Sequence, residues 1–394
     1  MAAASSSPAV LSVDAATGAV MADHGGGQPH HPASLTKMMT AYVAFRAIAA
    51  GQAGLEDSLR VSAAAAAQGG SLLGLSLGDR LSLGQALKGM IVRSGNDAAV
   101  AVAEHLAGTE AAFAERMTAE AHRLGMSSTR FRNATGMTAA GHITTPRDMA
   151  VLALAIEREF PALRHLFASR ETTWKGRTLP TVNGFLANFA GAEGMKTGFT
   201  CPAGYNLVAV ATRGERRVVT VVMGAGSSAQ RQATVSQAME KALKAKPEAG
   251  GEMLLGLRNL AEPPPDLSAI ACGGRGGGTG GVSPALWEKR KVPAGWALEV
   301  TFGRDLAKVR TELAAAQRLL SKRLGGGSSL VVAKPRDGLL RYRGLIVGLA
   351  EKRAIETCLA ERARHGEDIC LVLTPTMLEG ALDDERRFRM ISAR

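Results

Sequence analysis

The sequence is short of aromatic residues, cysteines and long apolar runs. Only 4% of its 394 residues are aromatic and four are cysteines, whereas 46% are hydrophobic. We therefore expect a globular protein of two or three domains whose cores are mainly aliphatic. No stretch of about 18 apolar residues occurs, which excludes a membrane-spanning helix at the level of the sequence.

Metal and cofactor motifs are also missing. The chain contains no Cys-x-x-Cys and no His-Glu-x-x-His, the spacings with which zinc is usually held. His24, His30 and His31 lie beside Gly25–Gly27, in a segment that we interpret as a solvated loop. We therefore expect neither a bound metal nor another cofactor.

The N-terminus and the net charge leave localisation and partners open. Residues 1–8 have neither a basic start nor a long apolar segment, so no secretory signal is visible. The chain is then cytosolic, or it is exported and its signal was removed or precedes the chosen start codon. A net charge of +12 would suit nucleic acid, a lipid surface or an acidic wall polymer. An Arg- and Ala-rich composition shared by a whole genome explains the charge equally well.

One short stretch, residues 31–42, carries the strongest local signal for chemistry. Its apolar residues recur every three or four positions after Pro32, which predicts an amphipathic helix that begins there. Ser34 then lies at the helix N-terminus, and Lys37 lies one turn later on the same face. A serine needs a base to attack a carbonyl, and a desolvated neutral lysine can be that base. By itself the pattern is weak, because about one Ser-x-x-Lys occurs by chance in a chain of this length.

Two further motifs follow downstream. A Ser-Gly-Asn turn at 94–96 separates two apolar helical segments. In isolation it is an ordinary helix-helix turn in which Asn96 or Asp97 caps the second helix. A Lys-Thr-Gly at 196–198 lies on the first strand of an antiparallel meander, where the glycine could simply mark a bulge or a strand end.

The apolar pattern divides the chain into four segments. Residues 8–245 mix helices and antiparallel strands, residues 246–294 are a Gly- and Pro-rich linker that should be flexible, residues 295–374 are a small domain, and residues 375–394 are a charged, frayed tail. In the first segment we predict strands and helices at 9–22, 34–45, 85–92, 97–106, 110–124, 146–158, 192–200, 205–212 and 217–223. In the small domain we predict the order βαββαβ, at 296–303, 305–324, 329–334, 342–347, 352–365 and 369–373.

Taken together, the three motifs point to a known family. Ser-x-x-Lys, Ser-Gly-Asn and Lys-Thr-Gly occur once each and in the order typical of penicillin-binding proteins and class A β-lactamases. Residues 8–240 resemble the low-molecular-mass D-alanyl-D-alanine carboxypeptidases of the serine S11 type, and the resemblance extends to the flanks at 32–40, 91–99, 141–149 and 204–208. It implies the fold class α/β (α+β): a β-lactamase/transpeptidase-like catalytic domain with an antiparallel sheet and a helical subdomain.

The resemblance also implies roles for nine residues. Three are implied in catalysis: Ser34 as the nucleophile, Lys37 as its base, and Ser94 as the relay of a proton to the leaving amine. Six are implied in substrate binding: Asn96, Lys196, Thr197, Gly198, Phe199 and Arg231. The backbone N–H groups of Ser34 and Phe199 would form the oxyanion hole. Phe199 occupies a position that varies in the family.

The implied activity is hydrolysis of the terminal D-Ala-D-Ala bond of peptidoglycan stem pentapeptides. It would proceed in the periplasm through an acyl-enzyme, with β-lactams as inhibitors and without nucleic acid. Class A β-lactamases carry a Glu-x-x-Leu-Asn loop for deacylation between the second and third motifs, and no such string occurs here. Two alternatives stay open: a D,D-endopeptidase that acts on cross-links, and a catalytically silent scaffold that binds the wall.

The small domain at 295–374 resembles a SPOR domain, a peptidoglycan-binding fold, chiefly in the strands at 296–303 and 342–348. The implied partner is the glycan strand, although Glu299 replaces the usual Gln. An RNA-binding sheet has the same order of elements, but no RNP1-like string is present. Cys358 and Cys370 could form a disulfide, which would suit an oxidising periplasm, or they could be two buried thiols.

Overall fold

The computed structural model describes residues 7–245, 250–272, 294–303, 305–336, 339–365, 370–375, 377–378 and 389–391. The chain folds as two compact units, the first made of residues 1–65 and 70–271 and the second of residues 66–69 and 272–394. No helix within the described ranges is long and apolar enough to cross a membrane.

The first unit is built on one large antiparallel sheet. The strands of this part of the chain are β1 (Ala9–Asp14), β2 (Val20–His24), β3 (Ser58–Arg60), β4 (Arg80–Ser82), β5 (Glu171–Trp174), β6 (Arg177–Pro180), β7 (Ala192–Thr200), β8 (Gly204–Arg213) and β9 (Arg216–Ala225). Five of them form the sheet in the order β2-β1-β9-β8-β7, while β3 pairs with β4 and β5 with β6. The sheet therefore joins the first strands of the chain to the last strands of the unit, and β7 lies at its edge.

The helices before residue 273 are α1 (Thr36–Ala49), α2 (Ala63–Ala66), α3 (Leu83–Val92), α4 (Asn96–Ala107), α5 (Glu110–Arg123), α6 (Pro146–Glu159), α7 (Gly184–Asn188), α8 (Ser228–Lys244) and α9 (Ser268–Cys272). The predicted helices at 85–92, 97–106, 110–124 and 146–158 are confirmed as α3 to α6 within two residues. The sequence pattern did not indicate α8 or the β5–β6 hairpin.

The central strands are buried on both faces. Val218 and Val222 of β9 pack in one cluster with Val235 and Met239 of α8, while the alternate residues Val219 and Val221 point to the opposite face and are also fully buried. Continuous valine-rich runs are typical of strands covered on both sides.

Helix α1 runs through the interior of the first unit. Its residues from Thr36 to Phe45 are all buried, so the helix has no solvated face over this stretch. Tyr42 and Phe45 meet the ring of Phe160 edge-on, with ring centroids 5.3 and 5.6 Å apart. The helix that follows the predicted nucleophile is therefore held by packing on every side.

The predicted flexible linker over 246–294 is wrong for residues 250–271, which belong to the first unit. These residues run along the unit in extended form, and their backbone pairs with it. Leu254 N–H donates to Gly18 O at 2.9 Å, Leu260 N–H to Gly27 O at 2.8 Å, and Leu267 N–H to Pro202 O at 3.0 Å. Pro263–Pro265 disfavour a helix over that stretch, and the short helix α9 begins only after them, at Ser268. The first unit thus ends at 271 rather than at 245, while residues 273–293 lie outside the described residues.

The second unit confirms the predicted βαββαβ order. Its elements are β10 (Trp296–Gly303), α10 (Leu306–Leu324), β11 (Ser328–Arg336), β12 (Leu339–Leu349), α11 (Glu351–His365), β13 (Leu371–Leu373) and β14 (Arg389–Ile391). The strands form one sheet in the order β13-β10-β12-β11-β14. Asp305 caps α10 through bonds from Ala307 N–H and Lys308 N–H at 2.8 and 3.2 Å.

The prediction of a frayed tail over 375–394 is wrong for part of that segment. Leu378 is buried in an apolar cluster with Leu345 and Leu373, and β14 pairs antiparallel with β11 at the sheet edge. The charged composition hid both features, because a single buried leucine and a three-residue edge strand leave little periodicity to detect.

A disulfide joins Cys358 on α11 to Cys370, the residue before β13, with a Cα–Cα distance of 5.8 Å. Of the two possibilities open from the sequence, the bridge is therefore the one found. It ties the last helix to the last strand of the predicted βαββαβ order and closes a short loop of the chain.

We predict that the double variant Cys358→Ser/Cys370→Ser destabilises the second unit. The bridge spans 12 positions, and closing a loop of that size removes about 3 kcal/mol of chain entropy from the unfolded state. Calorimetry of the full chain should show the transition of the second unit at lower temperature while that of the first unit stays in place. Unchanged transitions, or equal shifts in both, would contradict this account.

Candidate active site

Ser34 lies in a 3-10 turn, Ala33–Leu35, that precedes α1 instead of in the α-helix itself. The side chain of Asn206, in β8, donates to His31 O at 3.0 Å and so ties this turn to the sheet. Ala33 has a φ of +49°, a conformation that is strained for any residue other than glycine. Such strain persists only where the surroundings fix the backbone, so Ser34 is held in one position, partly exposed to solvent.

Lys37 is completely buried, and its Nζ meets three oxygen atoms. It lies 2.9 Å from Ser34 Oγ, 2.7 Å from Asn96 Oδ1 and 2.5 Å from the backbone carbonyl of Thr135. These oxygens come from the 3-10 turn that holds Ser34, from the start of α4 and from the loop before α6. Because Ser34 is the predicted nucleophile, we call Ala33–Leu35 the nucleophile turn. The structure thus brings together the first two predicted motifs around one amine.

The types of these oxygens fix the direction of the lone pair on neutral Lys37. A neutral amine has two N–H donors and one lone pair. The oxygens of Asn96 and Thr135 carry no hydrogen and can only accept, so they take both N–H groups. The lone pair therefore points at Ser34 Oγ, which can donate its own proton. This is the arrangement that a general base needs.

Burial also favours the neutral form of Lys37. Loss of solvation brings the pKa of its amine well below the usual value, and the positive charge of Lys196 lowers it further. Two carboxylates, those of Asp97 and Glu110, act in the opposite direction and raise it. The net effect is a pKa well below that of a free lysine, which favours the neutral amine.

A second lysine faces the next predicted residue. Lys196 Nζ, on β7, donates to Ser94 Oγ at 2.9 Å and to Thr197 O at 2.9 Å. Burial and the nearby Arg231 guanidinium lower the pKa of Lys196 to about 7. Ser94 is buried and has a φ of +58°. The hydroxyl of Ser94 accepts from Lys196 and keeps its own proton available for another acceptor.

The Ser-Gly-Asn turn is not an ordinary helix-helix turn. Gly95 is the N-cap of α4 and has no side chain with which to cap the helix. The side chains of Asn96 and Asp97, the two capping candidates, bind other groups. Asn96 binds Lys37 at 2.7 Å. Asp97 accepts the N–H groups of residues 73–75 at 2.8 to 2.9 Å and so fixes the loop beside the site.

Strand β7 passes very close to the nucleophile turn at Gly198. A β-carbon there would lie 3.0 Å from Pro32 O and 3.1 Å from Ser34 N. Only glycine lets the edge strand come this near to the turn without a shift. Thr197 is buried at 7% exposure. The third motif therefore borders the cleft in which Ser34 is accessible.

The two remaining predicted residues lie at the margin of this site. Arg231, on α8, is buried at 8% exposure, and its Nε has no hydrogen-bond partner among the residues that the structure describes. It lies near enough to Lys196 to lower the pKa of that amine. Phe199 is 40% exposed and stacks on Tyr205 with ring centroids 4.2 Å apart. Phe199 offers the rim an aromatic face and no hydrogen-bonding side chain.

Sequence reasoning predicts a loop over 133–145 but missed the contribution of its first residues, 133–137, to the site. The Asn133 carboxamide shapes it by accepting the N–H groups of Thr135 and Gly136 at 3.2 and 2.7 Å. A β-carbon on Gly136 would lie 1.8 Å from Ala33 O, so the loop touches the nucleophile turn. The Asn-x-x-Gly spacing is a turn signal, but nothing in it indicates contact with a residue about 100 positions earlier.

The interpretation of His30 and His31 as solvated loop is wrong for His30. Its backbone exchanges hydrogen bonds with Thr144 at 2.7 and 2.9 Å, and burial lowers the pKa of its ring to about 4. Within the described ranges no group of three His, Cys, Asp or Glu side chains is placed to hold a metal ion.

Comparisons with known proteins agree with the motif order. The sequence model of the D-alanyl-D-alanine carboxypeptidase family matches residues 2–227. The D-alanyl-D-alanine carboxypeptidase DacD of Escherichia coli K12 is 39% identical over 227 residues, which cover 56% of this chain and 58% of that protein. The crystal structure of penicillin-binding protein 6B from Escherichia coli superposes with a TM-score of 0.57 at 36% identity, over 60% of this chain and 76% of that one.

A further crystal structure, penicillin-binding protein D2 from Listeria monocytogenes in its ampicillin-bound form, matches with a TM-score of 0.56 at 28% identity, over 62% of this chain and all of that one. The penicillin-binding protein fold expected for the first segment is therefore confirmed. This chain spans little more than half the length of the curated relatives it matches, for example 58% of the Escherichia coli DacD. The SPOR resemblance of the second unit stays a prediction.

We predict that Gly136→Ala is far more destabilising than Gly125→Ala. Both glycines have positive φ, +86° and +78°, but a β-carbon meets Ala33 O at 1.8 Å at position 136 and meets nothing within 4 Å at position 125. The control substitution should cost about 1 kcal/mol for its backbone conformation. Gly136→Ala should cost about 3 kcal/mol or more, because the nucleophile turn must move. Urea unfolding measures both, and equal losses would contradict the contact.

Proposed function

The chain belongs to the D-alanyl-D-alanine carboxypeptidase family, and we propose that it hydrolyses the terminal D-Ala-D-Ala bond of peptidoglycan stem pentapeptides through an acyl-enzyme on Ser34. The observation that carries this proposal is the completely buried Lys37, whose Nζ lies 2.9 Å from Ser34 Oγ. A serine that is only structural has no need of a desolvated amine beside it.

Acylation begins when Ser34 Oγ attacks the carbonyl carbon between the two D-alanines. The hydroxyl proton moves to Lys37 Nζ, and the C–O bond forms while the carbonyl electrons move to oxygen. The backbone N–H groups of Ser34 and Phe199 are proposed to stabilise that oxygen, an effect usually worth about 3 kcal/mol. Because Asn96 and Thr135 already hold the other hydrogens of Lys37, the amine accepts the proton without rotating.

Departure of the terminal D-alanine needs a proton on its nitrogen. Ser94 is the proposed relay: its oxygen accepts from Lys196 at 2.9 Å, its own proton passes to the leaving nitrogen, and the proton that Lys37 took from Ser34 replaces it, so that Lys37 is neutral again. The C–N bond then breaks and the peptide stays esterified to Ser34. Water hydrolyses this ester in the second half of the reaction, with Lys37 again as the base.

The substrate carboxylate is proposed to bind between Lys196, Thr197 and Arg231. The Arg231 guanidinium lies close enough to Lys196 to lower the pKa of its amine, and Arg231 Nε has no hydrogen-bond partner within the described part of the chain. A site with two buried cations suits an anionic ligand. An incoming carboxylate supplies the missing negative charge.

The disulfide in the second unit supports an oxidising compartment, and we propose the periplasm as the location. We further propose that the second unit holds the enzyme on glycan strands. The βαββαβ order and the adjacent strands β10 and β12 support this role. Such tethering raises the local concentration of stem peptides without any change at Ser34.

Intact mass spectrometry after incubation with benzylpenicillin tests the acyl-enzyme. The wild type should gain one penicilloyl group and Ser34→Ala none, because β-lactams acylate the same serine and this chain lacks the deacylation loop of class A β-lactamases. An unmodified wild type with intact drug would favour the silent scaffold. An unmodified wild type with hydrolysed drug would favour a β-lactamase.

The pH dependence of kcat/KM tests the carboxylate site. Lys196 acts as the ammonium, so kcat/KM for a diacyl-D-Ala-D-Ala peptide should fall as the pH rises through about 7, the pKa of that amine. In Arg231→Gln a neighbouring cation is lost, the pKa of Lys196 rises, and the fall moves to higher pH while KM increases. Lys241→Gln removes an exposed cation from the same helix and should change neither. A fall at the same pH in Arg231→Gln would contradict the assignment.

A further inference from the structure

Glu110 is a carboxylate beside the active site that the acyl-transfer steps do not use. We propose that Glu110 is a positioning residue for the base: its carboxylate anchors the loop whose Thr135 carbonyl binds Lys37, and it is one of the charges that face Lys37. The inference rests on the proposed function, because it concerns the acylation of Ser34.

A short chain of hydrogen bonds connects Glu110 to Lys37. Glu110 is the first residue of α5, and its Oε1 accepts the N–H of Ala134 at 2.9 Å. The carbonyl of the next residue, Thr135, accepts from Lys37 Nζ at 2.5 Å. One peptide unit therefore separates the atom that Glu110 holds from the atom that holds the base.

The anchor matters because the other bonds of this loop are mostly internal. Asn133 binds the N–H groups of the two residues after Ala134 and so gives the loop its shape without attaching it to a helix. Attachment at residue 134 comes from two sides: Glu110 of α5 takes its N–H, and Thr40 of α1 donates to its carbonyl at 2.8 Å. If this loop moved, the Thr135 carbonyl would no longer accept from Lys37 Nζ, and the amine of Lys37 could rotate away from Ser34.

The charges that face Lys37 come from three elements. Lys196 on β7 lowers the pKa of the Lys37 amine, whereas Asp97 on α4 and Glu110 on α5 raise it. The Asp97 carboxylate accepts three backbone N–H groups of residues 73–75. A fourth neighbour, His142, is neutral at working pH, because burial lowers the pKa of its ring to about 3.

The proton affinity of Glu110 is itself set by opposing influences. Loss of solvation raises the pKa of its carboxyl, and the nearby Glu104 adds to that effect, while the Ala134 N–H and Lys37 oppose it. When Glu110 is ionised it stabilises the ammonium form of Lys37. When Glu110 is protonated, that stabilisation is lost, and burial and Lys196 lower the pKa of Lys37 with less opposition.

The charge and the contact of Glu110 can be separated by two substitutions. Glu110→Gln keeps an oxygen that can accept the Ala134 N–H but removes the charge. Glu110→Asp keeps the charge but is one methylene too short for the contact. Glu115→Gln is the matched control, because it removes a carboxylate from an exposed position of the same helix.

The experiment measures the rate constant of acylation by benzylpenicillin as a function of pH, with the full chain. Acylation requires neutral Lys37, so the rate falls at acidic pH. In Glu110→Gln this acid limb should move to lower pH by about one unit, the shift expected when one nearby opposite charge is lost. In Glu110→Asp the limb should stay near its wild-type position while the plateau rate drops about tenfold or more, because the base is misaligned. Glu115→Gln should follow the wild type.

An acid limb of Glu110→Gln that coincides with those of the wild type and Glu115→Gln would overturn the role of the charge. A plateau of Glu110→Asp equal to that of the wild type would overturn the role of the contact. If the wild type forms no adduct at any pH, the proposed function fails and takes this inference with it. If the wild type is acylated and both Glu110 variants show the pH profile and plateau rate of the wild type, only the inference fails.

Discussion

The removal of Lys37 from water is the constraint on which the first unit depends. A buried amine is costly unless its hydrogens are bound, and here two carbonyl oxygens and one hydroxyl surround it. Because these three groups come from separate parts of the chain, α1, α4 and the 133–137 loop must pack together for any of them to be satisfied. The same burial makes the amine a base, so one feature serves both folding and chemistry.

Two buried lysines in one cleft have opposite tasks, and their surroundings account for the difference. Lys37 is placed among acceptors that leave its lone pair directed at Ser34, with its proton affinity reduced by burial and by Lys196. Lys196 donates to Ser94 and Thr197 and has a pKa of about 7, so near neutral pH it is available as a cation. Burial is the largest influence on the pKa of both lysines and a neighbouring cation the next, so it is their different hydrogen-bond partners that separate the proposed proton acceptor from the proposed anion-binding cation.

Backbone proximity matters as much as side-chain chemistry at this site. Gly198 lets the edge strand β7 approach the nucleophile turn, and Gly136 lets the 133–137 loop touch the carbonyl of Ala33. Asn206 then ties the turn to β8. The turn is therefore fixed by three neighbours that contribute mainly backbone or amide groups, which is consistent with the strained φ of +49° at Ala33. The segment at 250–271 closes the unit by pairing along its surface, a function that its Pro-rich composition did not indicate.

The sequence by itself determined the local chemistry and most of the elements. Ser34 and Lys37 are one helical turn apart, valine-rich runs became buried strands, and the second unit has the βαββαβ order, because helix and strand periodicities are properties of neighbouring residues. Motif order was enough to identify the family. The tertiary structure alone decided which groups meet: Thr135 on Lys37, Asp97 on the 73–75 loop, and Glu110 on Ala134. These contacts join residues between 22 and 98 positions apart, and a single sequence records no distance between such positions until the chain has folded.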